Sequence, residues 1–102
     1  MTKERWERLS LFEQMSNIDG EVERLIDTKN RCDAGQVPES YIDSYLRRIL
    51  DLIHLTLSDP KNRRRGPELL EEFYQIECFL KGEVDEDYIR RYWKQFTAAV
   101  SA

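Results

Sequence analysis

Residues 10–26 of the chain read SLFEQMSNIDGEVERLI, a segment with a helix-capping motif followed by a regular apolar repeat. Its first four residues match the S-x-x-E capping box, in which Ser10 and Glu13 each accept a hydrogen bond from the other's backbone N–H. Apolar residues then recur at steps of three and four, which places them on one stripe of a helix: Leu11, Met15, Ile18, Val22, Leu25 and Ile26. The pattern predicts a long amphipathic helix that buries this stripe and ends before Gly35 in a left-handed cap.

Three more helices follow from the same periodicity. With the first, they are expected over about 10–33, 38–57, 67–81 and 85–100, and the second begins at either Pro38 or Ser40. No segment shows the sustained period-two alternation of a strand. Short connections favour antiparallel neighbours, so the sequence predicts an all-α, up-down-up-down four-helix bundle. Residues 1–102 form one domain, and residues 1–9 are a charged lead-in whose Trp6 and Leu9 fold back onto the bundle.

Composition narrows the class of protein. The charged fraction is 35% and the hydrophobic fraction is 40%, which fits a globular domain better than a disordered chain or a membrane protein. There is no bilayer-length apolar run and no secretory signal at the start, so we expect a cytoplasmic protein without a membrane partner. The net charge of -4 makes the whole chain a poor electrostatic trap for nucleic acid. Cys32 and Cys78 lack the spacing of a disulfide framework or a zinc site.

The second predicted helix is apolar on two sides. Its inward stripe consists of six aliphatic residues: Ile42, Leu46, Ile49, Leu50, Ile53 and Leu57. Leu52 and Leu55 project roughly 100° to 160° away from that stripe, and Tyr41 and Tyr45 lie on the same outer side. An apolar flank that faces water is typical of an interface, so these four residues predict a homodimer or higher homo-oligomer. The alternative is that the lead-in, with Trp6, covers Leu52 and Leu55.

A basic loop follows this helix. Lys61, Arg63, Arg64 and Arg65 stand within five positions, and arginine forks bind phosphate oxygens well. If the helix ends converge, further basic and aromatic residues extend the patch: Arg47, Arg48, Arg90, Arg91, Lys94, Tyr92 and Trp93. The alternative is a solvated loop whose charges pair with neighbouring carboxylates. Nucleic-acid binding is therefore the second functional hypothesis.

Catalysis that uses histidine would have to use His54, the only one in the chain. Arg47 lies seven residues earlier, a spacing that loosely resembles the Arg-x(4–6)-His signature of HEPN-type helical ribonucleases. The residues after Arg47 and Arg48 depart from that motif, which leaves a ribonuclease as the third hypothesis. Asp51 and His54 alone do not supply the paired Glu-x-x-His ligands of a di-iron bundle. We predict no catalytic residue, metal, cofactor or small-molecule substrate.

Two carboxylates lie near apolar stripes. Asp19 in the first helix and Glu77 in the third each fall about 40° from the centre of a stripe. A buried carboxylate needs a hydrogen-bonding or charged partner. The sequence predicts structural polar pairs, with Arg24, Lys29 or a tyrosine hydroxyl as the partner.

Two segments of the chain carry a resemblance. The first reads W-x-x-L-S-x-x-E-Q-M-x-N-I-x-x-E-V-x-R at residues 6–24, and the second reads LDLIHLTL at residues 50–57 with DPKNR at residues 59–63. Both are similar to a family of small, uncharacterised helical proteins from prokaryotes. The resemblance implies a shared helical fold and no catalytic activity. Together with the apolar flank, it leads us to expect a non-enzymatic, self-associating scaffold or adaptor.

Overall fold

Helices make up all the regular structure of residues 1–101, which a computed structural model describes. The α-helices are α1 Lys3–Glu7, α2 Leu11–Asp33, α3 Ser40–Leu57, α4 Gly66–Leu80 and α5 Glu86–Ser101, and a 3₁₀ helix spans Pro60–Arg65. The all-α prediction is confirmed, and α2 to α5 correspond to the four predicted helices. The lead-in contains an additional helix, α1. None of the helices in this part of the chain is long and apolar enough to cross a membrane.

Local sequence signals fix both ends of α2. The Ser10 hydroxyl accepts a hydrogen bond from the Glu13 N–H at 3.1 Å, and Glu13 Oε1 accepts one from the Ser10 N–H at 2.9 Å. These two hydrogen bonds hold the pKa of Glu13 below its usual value. At the other end Gly35 adopts a positive φ of 74°, which confirms the left-handed cap. Between these ends the stripe from Met15 to Ile26 is fully buried.

The other helices begin close to their predicted starts. Of the two open starts for α3, the structure has Ser40, although the Glu39 side chain makes no capping hydrogen bond. Residues 61–65 are not a loop as predicted, because they belong to the 3₁₀ helix that leads directly into α4 at Gly66. Asp59 begins that 3₁₀ helix by accepting a hydrogen bond from the Lys61 N–H at 3.2 Å. Gly82, with a φ of 80°, ends α4.

The central element of the fold is α2, which packs most extensively against α5 and α3. The helix α1 lies against α3. The helix α4 also contacts α3 and α5, but far less extensively than α2 does. This uneven packing leaves the predicted inward stripes of α3 and α4 only partly buried. Ile49 and Ile53 are fully buried, but Leu46 and Leu50 remain partly exposed, and Leu70 is 53% exposed. The side of the fold between α3 and α4 is therefore open.

Candidate functional site

The outer flank of α3, defined by Tyr41, Tyr45, Leu52 and Leu55, is where self-association was predicted. Leu52 and Leu55 are partly buried and pack against the hydrophobic core. These two leucines are therefore only partly exposed to water, and self-association through the outer flank stays a prediction. The lead-in helix α1 packs against the same helix, next to Thr56.

Trp6 anchors α1 against α3. Its side chain is only 1% exposed, and its indole Nε1 donates a hydrogen bond to Thr56 Oγ1 at 3.0 Å. Elsewhere on the outer flank, Tyr45 is partly buried, with the Arg48 guanidinium carbon 5.1 Å from its ring centre. Of the four predicted interface residues only Tyr41 is exposed, at 53%.

Four buried polar side chains form a second feature under α1, which we call the polar hub: Gln14, Thr56, Asp59 and Asn62. The Gln14 amide donates to the Trp6 carbonyl at 2.8 Å and to Asp59 Oδ2 at 3.0 Å. The Asn62 amide donates to Gln14 Oε1 at 2.7 Å and to the Thr56 carbonyl at 2.9 Å. The polar hub thus joins α1, α2, the end of α3 and the 3₁₀ helix through side chains that lie 45 to 48 positions apart in sequence.

The exposed Lys61 lies at the edge of the polar hub and contacts Asp59. Burial favours the neutral form of Asp59, but hydrogen bonds from Lys61 and Gln14 outweigh that effect and hold the pKa of Asp59 below its usual value. The Lys61 ammonium forms an ion pair with Asp59 and donates to the Glu7 carbonyl at 3.2 Å. Lys61 therefore serves the fold, and its charge is already compensated.

The predicted basic patch is for the most part neutralised in the same way. Arg65 pairs with Glu68 at 3.0 Å. Arg90 and Lys94 do not extend the patch, because both pair with Glu23 of α2, at 3.3 Å and 3.2 Å. These pairs follow the alternative prediction, in which the basic charges meet neighbouring carboxylates.

Two exposed arginines of the 3₁₀ helix differ from Lys61 and Arg65. Within residues 1–101, Arg63 and Arg64 form no ion pair with a carboxylate, and neither do Arg47 and Arg91 of the extended patch. The prediction that Trp93 stacks on a base is wrong, because its side chain is fully buried. Phosphate binding through residues 61–65 stays a prediction that depends on Arg63 and Arg64.

The two carboxylates singled out in the sequence have different environments. Asp19 is 4% exposed, and its Oδ2 accepts a hydrogen bond from Thr97 Oγ1 at 2.6 Å. A threonine of α5 is therefore its partner, and not one of the predicted residues; Arg24 pairs instead with Glu21. Glu77 is exposed, so the prediction that it needs a buried partner is wrong. Its position on α4 turns it toward the open side of the fold.

The structure adds no support for the two hypotheses that involve His54, a ribonuclease with Arg47 and a metal site with Asp51. Arg47 and His54 are both exposed on α3, and seven residues of helix separate them by about 10 Å along the axis. Among the described residues, no group of three His, Cys, Asp or Glu side chains is placed to hold a metal ion. The absence of a catalytic residue, a metal and a cofactor stays a prediction.

A groove between α3 and α4, which we call the α3–α4 groove, has a volume of about 630 Å³. Three partly exposed apolar side chains form its floor, Leu46 and Leu50 from α3 and Phe73 from α4. Because Leu46 and Leu50 lie one helical turn apart, they line the same flank of α3. Four exposed charged residues form the rim: Asp43, Arg47, Asp51 and Glu77.

Apolar surface extends the groove along α4. Leu70 and Tyr74, which are 53% and 54% exposed, lie one turn apart, next to Phe73 and Glu77 on the helical wheel. The prediction placed Leu70 in the inward stripe, but it lies about 100° around the helix from the buried Leu69. This side of α4 therefore presents apolar side chains beside the groove.

The opposite side of α4 packs against α5 and carries a buried carboxyl group, that of Glu72. Glu72 is 8% exposed, and its Oε2 has no hydrogen-bond partner among residues 1–101. Burial, together with the nearby carboxylates of Glu71 and Glu68, raises the pKa of Glu72 above its usual value. Burial and the carboxylate of Glu68 also raise the pKa of Tyr92 on α5. Sequence reasoning missed this cluster, because Glu72 stands among acidic residues that are exposed, Glu68 and Glu71.

Replacing Glu72 with glutamine is expected to stabilise the protein at pH 7 by roughly 1 kcal/mol, because a neutral amide avoids the cost of burying a charge. The raised folded-state pKa means that the folded protein binds more protons than the unfolded chain above the usual value of 4.5. The advantage of Glu72→Gln should therefore vanish below that pH and grow as the pH rises. Urea denaturation between pH 3 and pH 8 measures it, with the exposed Glu71→Gln as the control. An equal gain in both variants would contradict this account of Glu72.

Comparison with protein-family models, with curated proteins and with solved structures finds no match for this chain. The resemblance to a family of small prokaryotic helical proteins therefore stays a prediction. Several residues that carry it meet in or beside the polar hub, among them Trp6, Gln14, Asp59 and Asn62. In this protein those residues hold the fold together.

Proposed function

We propose that the protein is a non-enzymatic helical module that associates with a second copy of itself through the α3–α4 groove. One observation carries this proposal. The apolar side chains of the floor are only partly buried and line an open groove, whereas the apolar stripe of α2 is fully buried within the same chain. A contiguous apolar surface with a polar rim is typical of protein–protein interfaces.

The size and setting of the floor support a protein partner. Leu46, Leu50 and Phe73 line the groove, and Leu70 and Tyr74 lie beside it. Covering these side chains removes apolar surface from water, which favours association by about 25 cal/mol for each Å² buried. A second copy brings the same floor to the contact, so one two-fold association covers both surfaces.

We further propose that α2 to α5 form the antiparallel, up-down-up-down bundle expected from the sequence. The short connections support this order, as does the extensive packing of α2 on both its successor α3 and the final helix α5. In such a bundle α3 and α4 are neighbours with a shared seam. Their loose contact leaves that seam available to a partner.

An assembly formed in this way would act as a scaffold or adaptor. The groove lies between α3 and α4, so association there leaves Arg63 and Arg64 of the 3₁₀ helix available to another macromolecule. Such a contact fits the second hypothesis, in which arginines reach phosphate oxygens.

The wild-type protein is expected to have the mass of a dimer in light scattering, and Leu50→Glu is expected to raise the dimer dissociation constant at least tenfold. A carboxylate on the floor would have to be desolvated in the interface without a matching partner, and tenfold corresponds to only about 1.4 kcal/mol. Leu70→Glu changes an exposed residue beside the floor and should act in the same direction with little strain on the fold. Circular dichroism checks that helicity survives in both variants.

Val100→Glu is the matched control, since Val100 is a 45% exposed apolar residue of α5 that does not line the groove. It should leave the mass unchanged. A wild-type protein that stays monomeric at high micromolar concentration would remove the proposal. So would a Leu50→Glu variant that retains the wild-type mass and helicity.

A further inference from the structure

We infer that the two copies meet about a two-fold axis beside Ile49, so that Arg47 of each copy pairs with Asp51 of the other. This inference rests on the proposed self-association and specifies its register. The observation behind it is a row of unpaired charges along the rim of the α3–α4 groove.

Three of the rim residues follow one another along α3 at intervals of four. Asp43, Arg47 and Asp51 are all exposed, and their charges alternate from negative to positive to negative. Residues four apart are neighbours on a helix surface, which allows an ion pair within the chain. Lys29 and Asp33 of α2 form such a pair at 2.7 Å.

Arg47 makes no such contact. Within residues 1–101 it forms no ion pair within 4 Å with either Asp43 or Asp51, nor with Glu77 across the groove. Arg48, its neighbour in sequence, in contrast lies 4.0 Å from Glu21 and over the Tyr45 ring. The only basic residue of the groove is thus surrounded by acidic residues and pairs with none of them.

A two-fold axis pairs these charges without moving the backbone. Residues 47 and 51 lie two positions on either side of Ile49 along α3. If two antiparallel copies of α3 are related by an axis that crosses the exposed side of the helix at the level of Ile49, Arg47 of each copy lies opposite Asp51 of the other. The same arrangement brings the Leu46 and Leu50 flank of each copy toward the other. Charge pairing on the rim and apolar burial on the floor then occur together.

The alternating signs identify the second copy as the occupant. A uniformly acidic partner would be repelled by Asp43, Asp51 and Glu77, and a uniformly basic partner would leave Arg47 without a counter-charge. A basic residue four positions from an acidic residue can pair with its own copy when the helix is turned through 180°. A second copy of this chain therefore supplies the carboxylate that Arg47 lacks.

An exchange of charges tests the register. Arg47→Asp and Asp51→Arg are each expected to raise the dimer dissociation constant at least tenfold in sedimentation at low salt, because each places like charges opposite one another. The double variant Arg47→Asp with Asp51→Arg should return the constant to within about threefold of the wild-type value, since the pairs are restored with their signs reversed. Raising the salt concentration should weaken the wild-type dimer and the double variant alike.

Arg47→Asp combined with Asp43→Arg is the control for a different register. Rescue by that pair, without rescue by the first pair, would place the axis nearer the start of α3 and overturn the inference. Single variants that dimerise like the wild type would overturn it too, while leaving the self-association itself intact. A monomeric wild-type protein would remove the proposed function, and the inference with it.

Discussion

Replacing Trp6 with alanine is expected to lower the free energy of unfolding by about 3–5 kcal/mol, the range found for truncating a buried aromatic side chain. Trp6 is 1% exposed and is the one fully buried residue of α1, so its removal leaves a cavity and detaches α1 from α3. The hydrogen bond from its indole to Thr56 is lost as well. Urea denaturation followed by circular dichroism at 222 nm measures the change.

Trp6→Phe separates the two contributions. Phenylalanine keeps most of the apolar volume and loses only the indole donor, while Thr56 Oγ1 still donates to the Leu52 carbonyl at 2.8 Å. The expected loss is about 1–2 kcal/mol, from the hydrogen bond and the smaller ring. If Trp6→Ala cost less than Trp6→Phe, or less than about 1 kcal/mol, α1 would not be part of the core.

The elements that sequence reasoning predicted are those fixed by neighbours along the chain. The capping box of Ser10 and Glu13 uses atoms three residues apart, and the left-handed cap at Gly35 depends on one residue. The apolar stripe of α2 repeats every three or four residues from Leu11 to Ile26, which is a strong helical signal. These features need no knowledge of the tertiary fold.

The helix α1 and the polar hub were missed because both depend on distant partners. A five-residue helix is too short to show a period and is unstable alone, so only its docking on α3 accounts for it. Gln14 reads as an ordinary polar helix residue, yet it is fully buried by contact with residues 59 and 62. Asp59 stands directly before Pro60, a position that by itself indicates only the end of a helix.

The location of the candidate site could be predicted only in part. Periodicity indicates that α3 carries more apolar residues than one contact can bury, but it cannot tell which neighbour covers which side. The helix α2 buries the side with Ile49 and Ile53, and α1 packs against α3 next to Thr56. The helix α4 makes little contact with α3, so Leu46 and Leu50 of the predicted inward stripe are only partly buried. The opening beside these two leucines depends on the position of α4, which periodicity along α3 does not indicate.

Replacing Gln14 with leucine is expected to lower the free energy of unfolding by about 2–4 kcal/mol, because the new side chain is of similar size but forms no hydrogen bond. The Trp6 carbonyl, the Asp59 carboxylate and the Asn62 amide each lose a buried partner. Removing one partner from a buried network lowers the free energy of unfolding by more than the net contribution of the lost hydrogen bonds, because the remaining polar groups stay buried without a partner. Urea denaturation at pH 7 measures the loss.

The pH dependence distinguishes this explanation from a simple packing defect. Asp59 has a lowered pKa in the folded protein, so it contributes stability above its usual value of 3.8, and this is lost as the pH falls through the folded pKa. Without the Gln14 donor the pKa of Asp59 is less depressed, so Gln14→Leu should lose less stability than the wild type as the pH falls below 3.8, and the difference between the two proteins should narrow. A packing defect alone would keep that difference independent of pH. Gln95→Leu, at an exposed position of α5, should change stability by no more than about 0.5 kcal/mol and leave the acid transition in place. A Gln14→Leu protein as stable as the wild type would mean that apolar packing alone joins the four segments at the polar hub.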